Sequence, residues 1–376
     1  MRFKHVIGIP TLALMCLALC ACELAGAVFA QGGTRVSAAP AATPSSPSLI
    51  TTLAPAPTHT LVLTPSPAPM PTPTPAPDPW ADKFYTSGGA YISVKDAVNG
   101  PWVYKDARLG VSIQYLRGGP IEGHYYRIEI YMRGEVPYRG FSFQKIAKPN
   151  LGRMELPYKI ARRYNAVLGI TADYYTKEGS KKSTILVGGE TYYEKHKYST
   201  LAILPDGNLK AYGPGEITAA ELQLMGVKDT FSFGPILVKD GAVDKDAIRK
   251  HWLPDSGSSV RAAIGQVEAG HYIAIVTKEG FRMSDLAKLF VDNHCTMAYG
   301  MDGGASACVV FMGEQLNPAT KTRPQRPMPD LLIFGENASV PGVNDRFYCN
   351  GVSIHPQNKP NPTEGIIPAT TATPGK

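Results

Sequence analysis

Two carboxylates and one guanidinium, each set where an apolar, strand-like run gives out or begins, hold the chemical content of this 376-residue chain. Asp302 lies in Ala298-Tyr299-Gly300-Met301-Asp302-Gly303-Gly304-Ala305-Ser306. Adjacent glycines can turn successive N–H groups toward one point, and the preceding carboxylate is then aimed at the same anion cradle. Asp-Gly is equally a strong hairpin signal, so a plain turn is the competing reading. Asp173 ends the run Ala166-Val167-Leu168-Gly169-Ile170-Thr171-Ala172 and precedes Tyr174-Tyr175. Functional groups gather where strands run out into loops, and an ordinary turn aspartate above packed tyrosines is the alternative. Arg261 opens Arg261-Ala262-Ala263-Ile264-Gly265. It reads either as a solvated strand-start residue or as a guanidinium suited to grip a phosphate or carboxylate through two N–H groups.

Paired carboxylates serve glycoside cleavage, while an arginine and backbone amides stabilise an anion. The combination suggests a sugar on one side and a phosphate on the other. A phosphate leaves more readily than an alcohol, so charge neutralisation can do much of the work. Other chemistries find less support. The chain has no G-x-G-x-x-G and no G-x-x-x-x-G-K-[ST], and Gly304-Ala305-Ser306-Ala307-Cys308 lacks the final glycine of a nucleophile elbow. His294-Cys295 are neighbours without metal-ligand spacing, and fit better where a helix ends. No metal and no cofactor are expected.

The elements that must position these groups are mostly strands. Tyr125–Arg133 alternates as a half-buried strand, with Ile128, Ile130 and Met132 on one face. Pro157 opens a helix carrying Ile160 and Tyr164, and a buried strand follows from Ala166. Hairpins are expected around Gly188-Gly189 and around Pro205-Asp206-Gly207. Thr218-Ala219-Ala220-Glu221 is a capping box for a short helix closed by Gly226. In Phe231–Val238 a strand is interrupted by Gly234-Pro235, which marks a bulge or a pocket wall, and Asp240-Gly241 then turns the chain. A strand at Tyr272–Thr277, a helix capped by Ser284, and strands at Thr296–Met301, Cys308–Met312 and Leu331–Phe334 complete the order. Hairpins without regular β-α alternation indicate an α+β fold with mixed sheets and a few packed helices, in one globular domain.

Composition sets the boundaries. Thirteen of the 33 prolines fall between Pro40 and Pro79, so the foldable part runs from about Trp80 to His355. Residues 1–30 read as an export signal: Arg2 and Lys4 precede an apolar run from Val6 to Cys22. Cleavage after Val28-Phe29-Ala30, lipidation at Cys22 in Leu19-Cys20-Ala21-Cys22, and an uncleaved anchor all stay open, although Pro10 and Glu23 weaken the last. Residues 31–79 form a Pro/Thr/Ala-rich spacer of ~3.1 Å per residue where extended, suited to hold the domain away from a membrane or wall. The tail 356–376 reads as disorder. The expected location is extracellular or tethered to the cell surface, with the envelope met through the N-terminus. The formal charge of +7 is thinly spread without a run of five basic residues, which argues against nucleic acid as a partner. The domain's Cys295, Cys308 and Cys349 allow one disulfide and one thiol, or three small buried hydrophobes.

From about Ala166 to Asp330 the sequence resembles the phosphodiester glycosidase family. Four stretches carry the resemblance in order: Ile170–Tyr175 for I-N-G-D-Y-[FY], Phe233–Val238 for F-G-P-x-L-V, Arg261–Gly265 for R-T-A-[IV]-G, and Met301–Ser306 for L-D-G-G-G-S, with Arg326 and Asp330 in R-x-x-x-D. Thr171 and Gly300 stand where the family has asparagines, and Ala172 and Ala305 replace glycines. The resemblance implies a hydrolase of sugar-1-phosphodiesters, its substrate a carbohydrate phosphodiester. It implies Asp302, Asp173 and Arg261 as catalytic residues, and Gly303, Gly304, Ser306, Thr171 and Gly234 as substrate contacts. Because both amide side chains are missing, the alternative is a binding module that has lost catalysis and retains a saccharide-phosphate polymer.

Overall fold

The computed structural model describes residues 78–118, 123–142, 154–173, 182–317 and 326–343, together with the backbone of 363–367. The export segment, the spacer up to residue 77, Tyr174, Tyr175 and Cys349 lie outside the described residues. Among those residues the fold is four layers, helix–sheet–sheet–helix.

The larger sheet has ten strands in the spatial order Ala242–Val243, Ile236–Lys239, Met297–Met301, Ala262–Glu268, His271–Thr277, His124–Met132, Leu109–Arg117, Trp102–Lys105, Ala90–Val94 and Thr363–Ile367. The second has five: Glu314–Gln315, Val309–Phe311, Ala166–Thr171, Asp330–Glu336 and Tyr138–Phe141. Period-two alternation sends Ile128, Ile130, Ile264 and Tyr299 inward, where they meet Leu168, Ile170, Leu332 and Phe334 in one core. The opposite face of the large sheet, with Ala263, Ile273 and Ile275, is covered by helix Met283–Asp292. That helix repeats Met283, Leu286, Ala287 and Phe290 at i, i+3, i+4 and i+7, all buried. Removing each large apolar side chain from water contributes roughly 1.5–3 kcal/mol. Helix Pro157–Arg163 covers the five-stranded sheet through Ile160 and Ala161 against Val310, Leu331 and Ile333.

The α+β class is what the structure shows. Every strand pair among the described residues is antiparallel, whereas mixed sheets were expected. Hairpins and sheet-to-sheet excursions return the chain beside itself without the helical crossover a parallel pair requires. Ser284 is not the cap of its helix: Arg282 holds that position, and the Ser284 N–H donates to Asp255 Oδ1 at 3.2 Å. Asn293 and His294 end the helix, His294 with φ of 59°, while the Cys295 N–H reaches back to Phe290 O at 3.0 Å. Thr218 and Glu221 form the expected capping box. The short helix Lys245–Lys250, capped by Asp244, was not anticipated, since six residues show too little periodicity. Thr363–Ile367 pairs with Ala90–Val94 inside the tail read as disorder. The β-branched pair Ile366-Ile367 gives this stretch strand propensity, and Ala90–Val94 otherwise presents a free sheet edge.

The Gly-Pro interruption was expected inside one strand; instead it separates Thr230–Ser232, in a three-stranded sheet with Thr200–Ile203 and Leu209–Tyr212, from Ile236–Lys239 of the large sheet, and the bulge lies just beyond it. Pairing shifts between Ile236 and Val238 opposite Met297–Met301, and the Gly234–Pro235 peptide is cis. Gly234 N donates to Gly300 O at 3.1 Å and Gly300 N to Pro235 O at 2.9 Å. A Cβ on Gly300 would lie 2.6 Å from Gly234 O, so the backbone approach itself demands glycine. Gly300→Asn, the change toward the family pattern, is therefore expected to destabilise the domain by ~1–3 kcal/mol, read as an earlier midpoint in a urea melt; an unchanged midpoint would refute the close approach.

Candidate active site

Strand register assembles the site. Ala262 pairs with Met301, so Arg261 and Asp302 extend one residue beyond the last rung at the same end of the large sheet. Asp302 N donates to Ala172 O at 3.4 Å, which brings the end of Ala166–Thr171, and with it Asp173, to that rim. Leu331 pairs with Thr171, and Asp330 Oδ1 accepts from Asp173 N at 3.2 Å. Three chain segments far apart in sequence thus converge through backbone pairing alone.

Arg261 is buried, and backbone carbonyls receive its N–H groups: Nε donates to Phe281 O at 2.9 Å and Nη2 to Ser256 O at 3.1 Å. Its own amide donates to Thr277 Oγ1 at 2.8 Å. Among the described residues no carboxylate forms an ion pair with it. Burial lowers its pKa, the charge of Asp255 opposes that shift, and the group stays cationic. A positive charge held out of water by carbonyl dipoles is an anion site in waiting.

Asp302 is also buried, and its charge acts on Cys308, whose thiol burial already pushes up to about 12. Gly303 needs no side chain, because a Cβ would meet Val260 O at 2.5 Å. Gly304, with φ of 60°, faces open space, but its N–H donates to Val260 O at 2.8 Å. The two-amide cradle expected from Gly303-Gly304 is reduced to the Gly303 amide. Thr171 and Ser306 shape the loop and do not face a ligand: Thr171 Oγ1 donates to Ser306 O at 2.8 Å and accepts from Cys308 N at 2.7 Å, and Ser306 Oγ accepts from Arg326 Nη1 at 3.2 Å. Both are fully buried. Cys295 and Cys308 are free, buried thiols.

Asp173 stands behind this rim. Its Oδ2 accepts from Arg139 Nη1 and its Oδ1 from Ser232 N, each at 2.6 Å. Arg139 Nη1 also bonds Asp330 Oδ2, Nη2 bonds Thr230 O, and the guanidinium lies 4.2 Å from the Phe231 ring centroid. Both Asp173 oxygens, expected to meet substrate, are thus engaged by the protein's own donors. Arg139 went unnoticed in the sequence. Tyr138-Arg139-Gly140-Phe141 has no local signal that sets it apart from a solvated strand arginine.

Gly234, with φ of 80°, borders a cavity of about 290 Å³ whose wall includes Tyr198, Ser199, Phe233, His251 and Trp252. A Cβ there would strike Ser199 Oγ at 2.3 Å. His251 Nε2 donates to Phe233 O at 3.2 Å and Nδ1 accepts from Leu253 N at 3.4 Å. Burial pulls its pKa down to about 4, with the Arg261 charge acting the same way, so the ring is neutral at pH 7. Among the described residues no three His, Cys, Asp or Glu side chains are grouped to hold a metal ion.

The rim thus carries a buried carboxylate, Asp302, and a buried arginine, Arg261, that has no ion-pair partner among the described residues. Residues 164–335 match the phosphodiester glycosidase family, so the resemblance carried by the four motifs is shown over the segment that contains them all. Among curated proteins, the SPbeta prophage-derived uncharacterized protein YomE of Bacillus subtilis (strain 168) is 28% identical over 174 residues, 43% of this chain and 27% of that protein. The chain therefore spans about a quarter of that relative's length. Solved structures are similar as well. The catalytic domain of zebrafish N-acetylglucosamine-1-phosphodiester alpha-N-acetylglucosaminidase, auto-inhibited by its pro-peptide, is 17% identical with a TM-score of 0.49, covering 66% of this chain and 89% of that one. A hypothetical protein from Synechocystis is 11% identical with a TM-score of 0.42, covering 61% and 63%. A putative exported protein from Burkholderia pseudomallei K96243 is 11% identical with a TM-score of 0.41, covering 58% and 75%.

Two outcomes are expected from the buried cluster. Arg139→Met leaves Asp173 and Asp330 unpaired and should cost about 3–5 kcal/mol in a denaturant melt, whereas a loss under 1 kcal/mol would show the cluster to be dispensable. Burial holds the Asp330 carboxyl up to about 7, so the folded state retains a proton that the unfolded chain releases near the ordinary value of 3.8. That contribution is complete below about pH 4 and is lost as pH rises through about 7. The wild-type melting temperature should decline across this window more steeply than that of Asp330→Asn; identical slopes would exclude the raised carboxyl.

Proposed function

We propose that the domain is an exported hydrolase that cleaves a sugar-1-phosphodiester in a cell-surface or extracellular glycan. The observation that carries the reading is the buried Arg261 guanidinium, supplied with carbonyl acceptors and with no carboxylate partner among the described residues, on a strand end paired in register with the one that carries Asp302. A diester phosphate would complete its charge, with the Gly303 amide as a further donor. Water then adds to the anomeric carbon, the bond from that carbon to the phosphate oxygen breaks, and a free sugar and a phosphate monoester result. Asp302 is the carboxylate placed to act as nucleophile or as base toward water. Asp173 holds the Thr230–Ser232 strand through the Ser232 amide, and thereby the approach to Gly234.

The N-terminal apolar run and the proline-rich spacer support an extracellular, envelope-tethered location. A second reading, a saccharide-phosphate binding module without turnover, draws on Thr171 and Gly300. One hydroxyl is already committed and the other position has no room for a side chain, so neither replaces the family's amide groups.

Incubation of the full chain with an N-acetylglucosamine-1-phosphodiester decides between them. Free sugar should be released, with kcat about 10²–10⁴-fold lower in Asp302→Asn and kcat/KM about 10²–10³-fold lower in Arg261→Met, each variant checked for native circular dichroism. Turnover undiminished in Asp302→Asn would overturn the hydrolase reading. Binding of the diester without any release would establish the binding module.

A further inference from the structure

Beyond Gly234, the aromatic cavity has no role in the chemistry above, yet its walls are unusual. The Tyr198 and Trp252 rings stack with centroids 5.5 Å apart and planes at 18°. Phe233 meets Trp252 edge-on at 5.8 Å, and His251 lies 5.4 Å from the same indole. Trp252 nonetheless keeps 38% of its surface exposed, which is uncommon for the largest side chain in a folded domain. At about 290 Å³ the space lies at the small end of ligand pockets and suits one ring-sized unit. Flat aromatic faces receive the apolar C–H face of a pyranose, leaving its hydroxyls outward.

The charged side chains that line the cavity have one sign. Lys197 and Lys250 line it, both exposed and without an ion-pair partner among the described residues. The ammonium of Lys182 lies 5.6 Å from the Tyr198 ring centroid. Nearby carboxylates are engaged elsewhere: Glu216 Oε2 accepts from Gly213 N at 2.6 Å, and Asp246 pairs with Arg249 at 2.9 Å. Pro235, which lines the cavity, accepts from the Gly300 amide at 2.9 Å, so the cavity wall adjoins the strand that ends at the Asp302 rim.

We infer that this cavity is a subsite for an anionic saccharide unit, with the sugar ring against Trp252 and its phosphate or carboxylate substituent on Lys197 and Lys250. The inference rests on the phosphodiester reading in one respect: the unit bound here is the one esterified on the far side of the phosphate held by Arg261. It narrows the substrate class to a polymer in which anionic groups recur from one sugar to the next, rather than an isolated diester with a neutral leaving group.

The test is a titration of the full chain with glucose 6-phosphate, followed by tryptophan fluorescence and calorimetry, beside glucose, inorganic phosphate and adenosine monophosphate. Of the three tryptophans, Trp102 is fully buried and half-buried Trp80 packs edge-on against Tyr131 and His271, so a change that Trp252→Ala abolishes reports this cavity. Glucose 6-phosphate should quench saturably and bind at least about tenfold tighter than glucose or phosphate alone. Trp252→Ala should weaken it about tenfold or more, and the exposed-residue double variant Lys197→Ala/Lys250→Ala should bring it down to the level of glucose. Asp302→Asn should bind as the wild type does, so loss of turnover and loss of this subsite are read separately. Affinity unchanged in Trp252→Ala, equal binding of glucose and glucose 6-phosphate, tighter binding of adenosine monophosphate, or no saturation up to roughly 50 mM would each overturn the assignment.

Discussion

A guanidinium buried where two sheets meet holds this domain in register. Arg139 comes from an edge strand of the five-stranded sheet, Asp330 from its neighbour, Asp173 from the end of the central strand, and Thr230 from the three-stranded sheet. Burial opposes the charge on Arg139, but Asp173, Asp330 and Asp229 outweigh it and hold the pKa above the ordinary value. A cluster like this adds little net stability over a well-packed apolar one, yet losing any one member strands the others. Its consequence is geometric: the rim carrying Asp302 cannot shift relative to the strand leading into Gly234 without breaking it.

Arg139 and Arg261 are the same residue type, each at or near a strand end, and each deeply buried. Arg139 is neutralised by carboxylates of its own chain, whereas Arg261 has carbonyls alone among the described residues. The first is therefore neutralised within the fold, and the second is the one on which the proposed phosphate site rests. Glycines divide in the same manner. Gly300 and Gly303 exist because backbone carbonyls approach them, and Gly304 because of its left-handed φ beside open space.

Much of the framework was legible from local pattern. The hairpins at Gly188-Gly189 and Asp206-Gly207, the capping box at Thr218 and the strand leading to Asp302 follow from turn chemistry and periodicity, which act over a few residues. The antiparallel character of every described pair was not legible, nor the strand at Thr363–Ile367, because pairing partners lie far away in sequence. The site divided likewise. Arg261 and Asp302 were readable as strand-end groups, while the commitment of the Thr171 hydroxyl, the loss of the Gly304 amide to Val260 and the enclosure of Asp173 depend on partners 34 to 157 residues distant.

The sequence by itself determined which chemistry was available: two aspartates, an arginine, a glycine pair and the four motifs that mark a phosphodiester glycosidase domain, behind an export-like segment and a proline-rich spacer. Tertiary structure alone decided which of those groups have their hydrogen bonds taken up by the fold. Residue type sets what a side chain can do, and that much is written in order along the chain. Whether a carboxylate is open or occupied depends on which charges and dipoles the fold packs against it, and here those come from other strands, other sheets and an arginine with no local mark.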